Sequence, residues 1–492
     1  MSFLRSIMFV GTCSDAGKSI VNTAFCRIFK QDGYHPAPFK AQNMSLNSYS
    51  TPDGLEIGRA QAVQAEACGI APESDMNPVL LKPTNEQCSQ VVLNGKPVGN
   101  MSAKEYFMSN NKAELFNQAY AAYERLQARY SPIVLEGAGS ISEINLRERD
   151  ITNMRMALRT NAATYLVADI DRGGVFASVY GSIALLSEEE RKLIKGIIIN
   201  KFRGDISLFD EGRKIIHDLT GIPVVGVIPY FKDIYIEEED SVSLETKNTK
   251  AGSGKINVAI VLLKRLSNFT DFSTLERDER FHAYYTNNVE EIGKADIIIL
   301  PGTKNTISDL RNIRENGIAE AVIRAHKEGK KVIGICGGYQ MMGARIEDPD
   351  QIEGDMTAIP GLGILPLVTT MEPEKVTCQD QFTFCDHPET CKGYEIHMGR
   401  TTLLDGASES PLNRLHDGRT DGYFLNDKCW GTYLHGILDN DVVLNELAEG
   451  LTQATPTLFN YIDFKNQQYD KLADHVRTHV DLPYIYSTLK IK

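Results

Sequence analysis

The sequence predicts an α/β protein built from two doubly wound domains. Short apolar runs recur along the chain and are separated by helical segments, as expected for strands buried on both faces of a parallel sheet. A polar, Gly- and Ser-bearing stretch, Glu245–Lys255, divides the 492 residues into two such series. We therefore predict a first domain over residues 1–235, a linker over 236–255, a second domain over 256–445 and a C-terminal helical segment over 446–492.

The first domain opens with a strand candidate at Ser6–Val10, followed by a glycine-bearing loop and a helix over Lys18–Gln31. Four further apolar runs predict strands of the same parallel sheet. These runs are Ile133–Leu135, Thr164–Ala168, Gly196–Ile199 and Val224–Ile228.

The second domain repeats this alternation of strands and helices. Its apolar runs are Ile256–Leu263, Asp296–Leu300 and Lys331–Ile335, with a helical segment at Ile318–Glu328. After about Val442 the pattern is helical and amphipathic, without residues that suggest chemistry. We expect this last segment to pack against one of the domains.

Composition restricts the class of protein. Hydrophobic residues make up 42% and charged residues 24%, which is typical of soluble globular chains and excludes a largely disordered one. The net charge of −13 argues against general binding to nucleic acid or to an anionic membrane. The nine scattered cysteines, without a secretory leader or an apolar run of about 18 residues, predict reduced thiols in a cytoplasmic protein. The oligomeric state stays open.

A candidate phosphate-binding loop, Gly11–Ser19, lies between the first strand and the first helix. Its last three residues match a Walker A loop, but five residues instead of four separate its glycines. Backbone N–H groups and the helix N-terminus would face phosphates, Lys18 would reach the terminal ones, and Ser19 could ligate Mg²⁺. A glycine turn with a lysine at the helix cap is the alternative. The residues predicted to bind ATP in this loop are Thr12, Asp15, Ala16, Gly17, Lys18 and Ser19.

A phosphate site of this kind needs an acid for Mg²⁺, usually at the end of a neighbouring strand. Glu136 ends one predicted strand, and the Gly-Ala-Gly after it leaves room for a ligand. Asp169 and Asp171 follow another strand. We predict Glu136 as the metal ligand, with Asp169 as a second candidate; the alternative for either acid is a helix cap or a loop charge.

A candidate nucleophile follows the strand Lys331–Ile335. Cys336 lies in the pattern G-x-C-x-G and precedes a plausible helix start, which is typical of a nucleophile elbow. A helix N-terminus favours the thiolate. The N–H of Gly337 is a candidate oxyanion donor, and a second donor could come from the turn at Gly302. The alternative is a buried structural cysteine.

The candidate base is His435, about a hundred residues downstream in a Tyr-Leu-His-Gly turn. This pair of motifs resembles class I, triad-type glutamine amidotransferases, in which cysteine attacks the side-chain amide of glutamine and histidine carries the proton. The family's usual glutamate stands two residues after the histidine, and here that residue is Ile437. The group that orients His435 is therefore open, and a dyad is possible.

The first domain resembles the dethiobiotin synthetase family, whose members use ATP to activate a carboxylate. The similarity lies in the lengthened phosphate loop and in Glu136–Gly139. By that resemblance, Asn200 in the sequence Asn-Lys-Phe-Arg-Gly would contact adenine.

Five ordered motifs are spread over nearly the whole chain. They are Pro38–Ser45, Glu143–Arg147, Asp169–Gly174, Leu300–Asn305 and Gly393–Gly399. Together these motifs resemble the cobyric acid synthase family. That family amidates four peripheral carboxylates of adenosylcobyrinic acid a,c-diamide, with ATP and glutamine used for each, so the resemblance implies a corrinoid substrate.

Polar residues within these motifs are further site candidates. Lys40, Asn43 and Arg172 lie in predicted loops of the first domain and suit phosphate or carboxylate contact; the alternative is an ordinary surface or capping role. Tyr394, Glu395 and His397 could bind glutamine or line the domain interface, and both roles stay open.

Two other functions compete with this one. The related cobyrinic acid a,c-diamide synthases share both domains and the chemistry, but the segments Phe39–Ser45 and Asp169–Gly174 favour cobyric acid synthase. A partition-type ATPase switch with an inert amidotransferase domain would carry an extra lysine early in the phosphate loop. No lysine precedes Gly17 in this loop, and both Cys336 and His435 are retained.

Overall fold

The computed structural model describes residues 3–84, 88–102, 112–237, 244, 247–354, 356–451 and 460–491. The strands of the described part of the chain are β1 (Ile7–Gly11), β2 (Ala37–Phe39), β3 (Gln42–Met44), β4 (Ser48–Ser50), β5 (Glu56–Gly58), β6 (Val79–Pro83), β7 (Cys88–Leu93), β8 (Lys96–Ser102), β9 (Ile133–Glu136), β10 (Ala163–Asp169), β11 (Ile194–Phe202), β12 (Val224–Pro229), β13 (Ile256–Val261), β14 (Phe281–Thr286), β15 (Ile297–Leu300), β16 (Lys331–Ile335), β17 (Arg345–Glu347), β18 (Ala358–Pro360), β19 (Leu367–Phe384), β20 (Thr390–Leu403), β21 (Asn413–Leu415), β22 (Thr420–Asp421), β23 (Tyr423–Asn426), β24 (Cys429–Thr432) and β25 (Leu434–His435).

The α-helices of these residues alternate with the strands in both halves of the chain. They are α1 (Lys18–Gln31), α2 (Arg59–Cys68), α3 (Lys112–Gln127), α4 (Met154–Thr160), α5 (Val175–Ala184), α6 (Glu188–Leu193), α7 (Asp210–Thr220), α8 (Val289–Lys294), α9 (Thr306–Glu315), α10 (Ile318–Lys327), α11 (Gly337–Met342), α12 (Asp441–Ala448), α13 (Tyr461–Arg477) and α14 (Leu482–Leu489). None of the described helices is both long and apolar enough to cross a bilayer.

The first domain contains a parallel six-stranded sheet in the order β12-β11-β10-β1-β9-β2. Side chains alternate along β1, so that Ile7 and Phe9 enter one apolar core and Met8 and Val10 enter another on the opposite face. Helices α1 and α2 cover the first face, and α3 covers the second. This arrangement confirms the predicted doubly wound fold.

A smaller sheet, in the order β3-β6-β7-β8, is inserted after β2. None of its strands is among those predicted from the sequence.

The C-terminal helices pack on the first domain, although the second domain precedes them in sequence. Leu472 and Val476 of α13 and Leu489 of α14 join the core that contains α1. Backbone hydrogen bonds add to this contact, since the Arg5 N–H donates to the carbonyl of Leu489 at 2.8 Å and the Asp481 N–H to that of Val225 at 2.7 Å. The packing follows the expectation that this segment covers a domain.

The second domain contains a six-stranded sheet in the order β14-β13-β15-β16-β24-β23, in which β23 alone runs antiparallel to its neighbour. It confirms the predicted second α/β domain. A further seven-stranded sheet is built around the long antiparallel pair β19 and β20. Neither of these two strands is among those predicted from the sequence.

The predicted linker is described only in part, because residues 238–243, 245 and 246 lie outside the described residues. Its first two residues are packed: Ile236 and Glu237 are buried, and Glu237 forms an ion pair with Arg59 of α2 at 2.6 Å. The domain boundaries stay predictions.

Candidate active site

The phosphate loop joins β1 to the N-terminus of α1, where helical N–H groups are free to bind an anion. Gly17 has a φ of 92°, and a Cβ there would lie 2.1 Å from Nδ2 of Asn200, so the position requires glycine. Lys18 curls back and donates from Nζ to the carbonyls of Cys13 (2.9 Å), Ser14 (2.8 Å) and Gly139 (2.9 Å). Burial lowers the pKa of Lys18 to about 8, against the opposing charge of Glu136.

Glu136 lies at the centre of a buried polar cluster beside this loop. Its Oε1 accepts hydrogen bonds from Oγ of Ser19 and Nζ of Lys40, both at 2.8 Å, and its Oε2 accepts one from Nε2 of Gln64 at 2.7 Å. Burial raises the pKa of Glu136, but Lys40 and the two hydrogen-bond donors outweigh burial and hold it below its usual value. An ionised carboxylate and a hydroxyl in contact form the oxygen donor set that Mg²⁺ prefers, so these residues fit a magnesium ion.

Asp169, the second metal candidate, is engaged in ion pairs. Its Oδ2 lies 2.9 Å from Nζ of Lys201 and 3.9 Å from Nε of Arg172. Arg172 reaches in turn to Asp15 of the phosphate loop at 2.6 Å. The structure therefore places the buried carboxylate of Asp169 in contact with two cations, while Glu136 contacts Ser19 directly.

Two predicted polar contacts are held by other protein groups. Asn200 is buried, and its Nδ2 donates to the carbonyl of Ala16 at 2.9 Å, which fixes it under the phosphate loop. Asn43 lies in β3 instead of a loop, and its Nδ2 donates to Oε1 of Gln61 at 3.1 Å. The backbone N–H of Thr12 donates to the carbonyl of Val167 at 3.1 Å.

A cavity of about 1660 Å³ opens beside the loop and contains most of these groups. Its walls include Lys18, Lys40 and Glu136, and on one side Lys264 and Phe269 of the second domain. Eleven Lys or Arg residues and seven Asp or Glu residues line it, so the cavity is positively charged in a chain of net charge −13. Such a cavity favours large anionic ligands.

The elbow at Cys336 has the strained backbone that the sequence pattern predicts. Cys336 lies between β16 and α11 with φ 51° and ψ −110°, and only 7% of it is exposed. A Cβ at Gly338 would lie 1.9 Å from the carbonyl oxygen of Leu300, and one at Gly334 would lie 2.7 Å from the backbone of Tyr339. These glycines let the helix approach the sheet closely enough to form the turn.

His435 lies beside Cys336 and is oriented by a carboxylate that is not among the residues predicted from the sequence. Its Nδ1 donates to Oδ2 of Asp271 at 2.7 Å, and the N–H of Gly436 donates to Oδ1 of the same carboxylate at 3.1 Å. Asp271 lies in the 3₁₀ helix Phe269–Phe272, in the connection that follows β13. Ile437 is buried in the apolar core, so the residue that occupies the usual glutamate position has no polar role.

The charge of Asp271 controls the protonation of His435. Burial lowers the pKa of His435, but the carboxylate of Asp271 and the sulfur of Cys336 outweigh burial and raise it to about 10. All three side chains are almost completely shielded from water, which strengthens these interactions.

Gly302 and Gly337 flank the nucleophile. A Cβ on Gly302 would lie 3.1 Å from Cε1 of His435 and 3.6 Å from Cβ of Cys336. One on Gly337 would lie 2.8 Å from Cγ2 of Thr303. Neither position has room for a side chain, so the backbone at Gly302 and Gly337 can lie close to Cys336.

The rings of the two aromatic candidates, Tyr394 and His397, stack on different residues of the second domain. The ring of Tyr394 stacks on that of His435, with centroids 5.4 Å apart, and its hydroxyl accepts a hydrogen bond from Asn268 at 3.1 Å. The ring of His397 stacks instead on Tyr433, with centroids 3.7 Å apart.

Comparison with known proteins assigns a family to each domain. Residues 7–244 match the CobQ/CobB/MinD/ParA nucleotide binding domain. Residues 257–443 match the CobB/CobQ-like glutamine amidotransferase domain. The chain thus combines a nucleotide-binding and a glutamine amidotransferase domain.

Full-length relatives share both domains. The cobyric acid synthase of Parabacteroides distasonis is 71% identical over 491 residues, covering 99% of each chain. That of Bacteroides fragilis is 62% identical over 487 residues, covering 99% of this chain and 98% of the relative. That of Salmonella agona is 46% identical over 503 residues, with the same two coverages. The chain belongs to the cobyric acid synthase family.

Proposed function

We propose that this protein uses ATP and glutamine to convert the b, d, e and g carboxylates of adenosylcobyrinic acid a,c-diamide to carboxamides, giving adenosylcobyric acid in cobalamin biosynthesis. The observation that carries the proposal is the pairing, in one chain of this family, of the Cys336–His435–Asp271 site with a phosphate loop and Glu136. The cavity beside the phosphate loop is walled by both domains, so the two chemistries can meet there.

In the amidotransferase site, Cys336 is the proposed nucleophile toward the side-chain amide of glutamine. His435 takes the thiol proton and returns it to the leaving nitrogen, so that ammonia departs and a glutamyl thioester remains; water then releases glutamate. Asp271 holds the imidazole in the required tautomer and stabilises its charge. We assign the developing oxyanion to the N–H groups of Gly337 and of the turn at Gly302.

In the ATP site, a substrate carboxylate attacks the γ-phosphate of ATP, so that ADP leaves and an acyl phosphate forms. Ammonia then attacks the acyl carbon and displaces phosphate, which gives the amide. Residues of the loop Thr12–Ser19 would hold the phosphates, with Lys18 at the terminal ones. Ser19 and Glu136 would hold Mg²⁺, which neutralises phosphate charge when bound. Asp169 is a second proposed metal contact, and Asn200 a proposed adenine contact.

The positive cavity suits both anions of this reaction, the nucleotide and the polycarboxylate acceptor. We propose that Arg172 and Asn43 contact the substrates there and that Lys40 fixes the carboxylate of Glu136. Tyr394 is a proposed support of His435, and His397 a proposed contact on the glutamine side.

The fusion of the two domains has a chemical reason. Ammonia released into water at neutral pH is mostly ammonium, which is not nucleophilic, whereas ammonia kept inside the protein stays neutral. Phe269 lines the cavity beside the phosphate loop, and it also begins the 3₁₀ helix that carries Asp271. One short helix therefore contributes a residue to each of the two sites. We place the reaction in the cytoplasm, where nine free cysteines stay reduced.

Mass spectrometry tests this function directly. Adenosylcobyrinic acid a,c-diamide is incubated with the protein, MgATP and glutamine, and the product carboxamides are counted. We expect four conversions. Glutamine hydrolysis without any conversion would contradict the proposed substrate. In a second incubation with cobyrinic acid in place of the a,c-diamide, amidation of only two carboxylates would favour an a,c-diamide synthase.

A further inference from the structure

Asn268 connects the amidotransferase site to the ATP domain. Its Nδ2 donates to the carbonyl of Ser48 at 3.1 Å, and its Oδ1 accepts from the N–H of Ser48 at 3.4 Å. The amide of Asn268 thus pairs with the backbone of one residue across the domain interface. Asn268 is 2% exposed and has a φ of 51°, a left-handed conformation that asparagine tolerates better than most residues.

On the amidotransferase side, Asn268 lies between groups that contact the catalytic residues. Its neighbour Ser267 donates from the backbone to the carbonyl of Gly302 at 3.0 Å. Three residues further on, Asp271 orients His435. Nδ2 of Asn268 also donates to the hydroxyl of Tyr394, whose ring stacks on His435. A shift of Asn268 would therefore displace both groups that hold His435, namely the carboxylate of Asp271 and the ring of Tyr394.

On the ATP side, Ser48 directly follows a segment that lines the cavity beside the phosphate loop. Residues 42–46 line that cavity. The next two residues are anchored: the carbonyl of Asn47 accepts from the N–H of Arg59 at 3.1 Å, and Oγ of Ser48 accepts from Nζ of Lys82 at 2.8 Å. A ligand that contacts residues 42–46 can thus act on Asn268 through the backbone of the next two residues, Asn47 and Ser48.

We propose that Asn268 is a positioning residue that makes glutamine hydrolysis at Cys336 depend on occupancy of the ATP-domain cavity. This inference rests on the proposed function for the identity of the cavity's ligands. A ligand in the cavity fixes the position of segment 42–48, and Ser48 in turn fixes the position of Asn268. Asn268 then holds Asp271 and Tyr394 in place around His435. Glutamine is then hydrolysed when an acceptor is ready to take the ammonia.

The test uses the full-length protein and two substitutions. Asn268→Ala removes both bonds to Ser48. Asn268→Asp keeps the acceptor for the N–H of Ser48 and the tolerance for a left-handed backbone, but it loses the Nδ2 donor. Asn161→Asp is the matched control, because Asn161 also has a φ of 51° but is exposed on the ATP domain.

The readout is the rate of glutamine hydrolysis with MgATP and corrinoid divided by the rate without them. We expect Asn268→Ala to reduce this ratio by about tenfold, within the usual range for coupled sites, and Asn268→Asp to give an intermediate ratio. The Asn161→Asp control should keep the wild-type ratio. A wild-type ratio of one, or an Asn268→Ala protein whose two rates fall equally, would overturn the inference.

Amide synthesis from ammonium chloride is measured in parallel, because it bypasses the amidotransferase site. Its absence in the wild-type protein would count against the proposed function. The hydrolysis ratio measured with MgATP alone still tests the role of Asn268 in that case, so the two failures are distinguishable.

Discussion

The two active sites of this chain differ in how they expose their charges to water. In the amidotransferase domain, Cys336, His435 and Asp271 are 7%, 1% and 3% exposed. At the rim of the ATP site, the side chains of Arg172 and Asp15 are 64% and 40% exposed, although Glu136 below them is buried. The buried site prepares a small neutral nucleophile, while the open one must admit a nucleotide and a bulky acceptor.

This difference predicts where single substitutions will act strongly. In a buried constellation each group lacks a replacement from water, so the loss of one partner removes the function. At an exposed rim, water and salt replace a lost ion pair at small cost. Four substitutions test that contrast, and we give them in order of decreasing expected effect.

Replacing the nucleophile should give the largest effect. We expect Cys336→Ser to reduce glutamine-dependent amidation by at least about 10⁴-fold, because the hydroxyl is a far weaker nucleophile in this site. Amidation with ammonium chloride should stay at the wild-type rate, as measured by counting product carboxamides. Undiminished use of glutamine would contradict the elbow assignment.

Replacing the phosphate-loop lysine should affect the other half of the reaction. Lys18→Met removes the cation proposed for the terminal phosphates, and we expect about a 10³-fold loss of amidation from either nitrogen donor. Basal glutamine hydrolysis should persist. Lys30→Met, at the exposed C-terminal end of the same helix, serves as control. A Lys18→Met protein that amidates at the wild-type rate would exclude Lys18 as a phosphate-binding residue.

Asp271→Asn should act through the pH profile. Asp271 raises the pKa of His435, so without its charge that pKa falls and the imidazolium is lost at lower pH. We expect about a 10²-fold slower hydrolysis of glutamine at neutral pH, with the alkaline limb of kcat/KM shifted to lower pH. Glu279→Gln, an exposed acid of the same region, should change neither. An unshifted alkaline limb would exclude Asp271 as the orienting group.

The smallest effect is expected at the exposed rim. Arg172 pairs with Asp15 of the phosphate loop, and we expect Arg172→Met to raise the KM for ATP about two- to fivefold with little change in kcat. The difference from the wild-type protein should shrink as salt is raised, because exposed pairs are screened. A large fall in kcat would assign Arg172 a role in the chemical step.

The local parts of both sites were predictable from sequence. Helix α1 and strand β16 lie at their predicted residues, because apolar runs bounded by glycine loops define them. Cys336 and His435 come together because parallel strands β16 and β24 are neighbours. The phosphate loop and Glu136 lie at the ends of adjacent strands β1 and β9 for the same reason.

The parts that the sequence did not predict depend on distant contacts. Asp271 lies 164 residues from His435, and no spacing rule connects the two. Gln64 contacts Glu136 from the buried helix α2, where it has the appearance of an ordinary helical residue. Strand β19 has many partly exposed polar residues along its middle, so the alternation that identifies strands is absent from its sequence.

We propose that the nitrogen of glutamine passes inside the protein from Cys336 to the activated carboxylate. The most direct test supplies glutamine labelled with ¹⁵N in the side-chain amide, together with MgATP, the corrinoid and an excess of unlabelled ammonium chloride. Mass spectrometry then gives the isotope content of each new carboxamide. We expect carboxamides that carry mostly ¹⁵N despite the excess of unlabelled ammonium. Carboxamides with the isotope ratio of the solution would show that ammonia escapes into water first, and passage inside the protein would then be excluded.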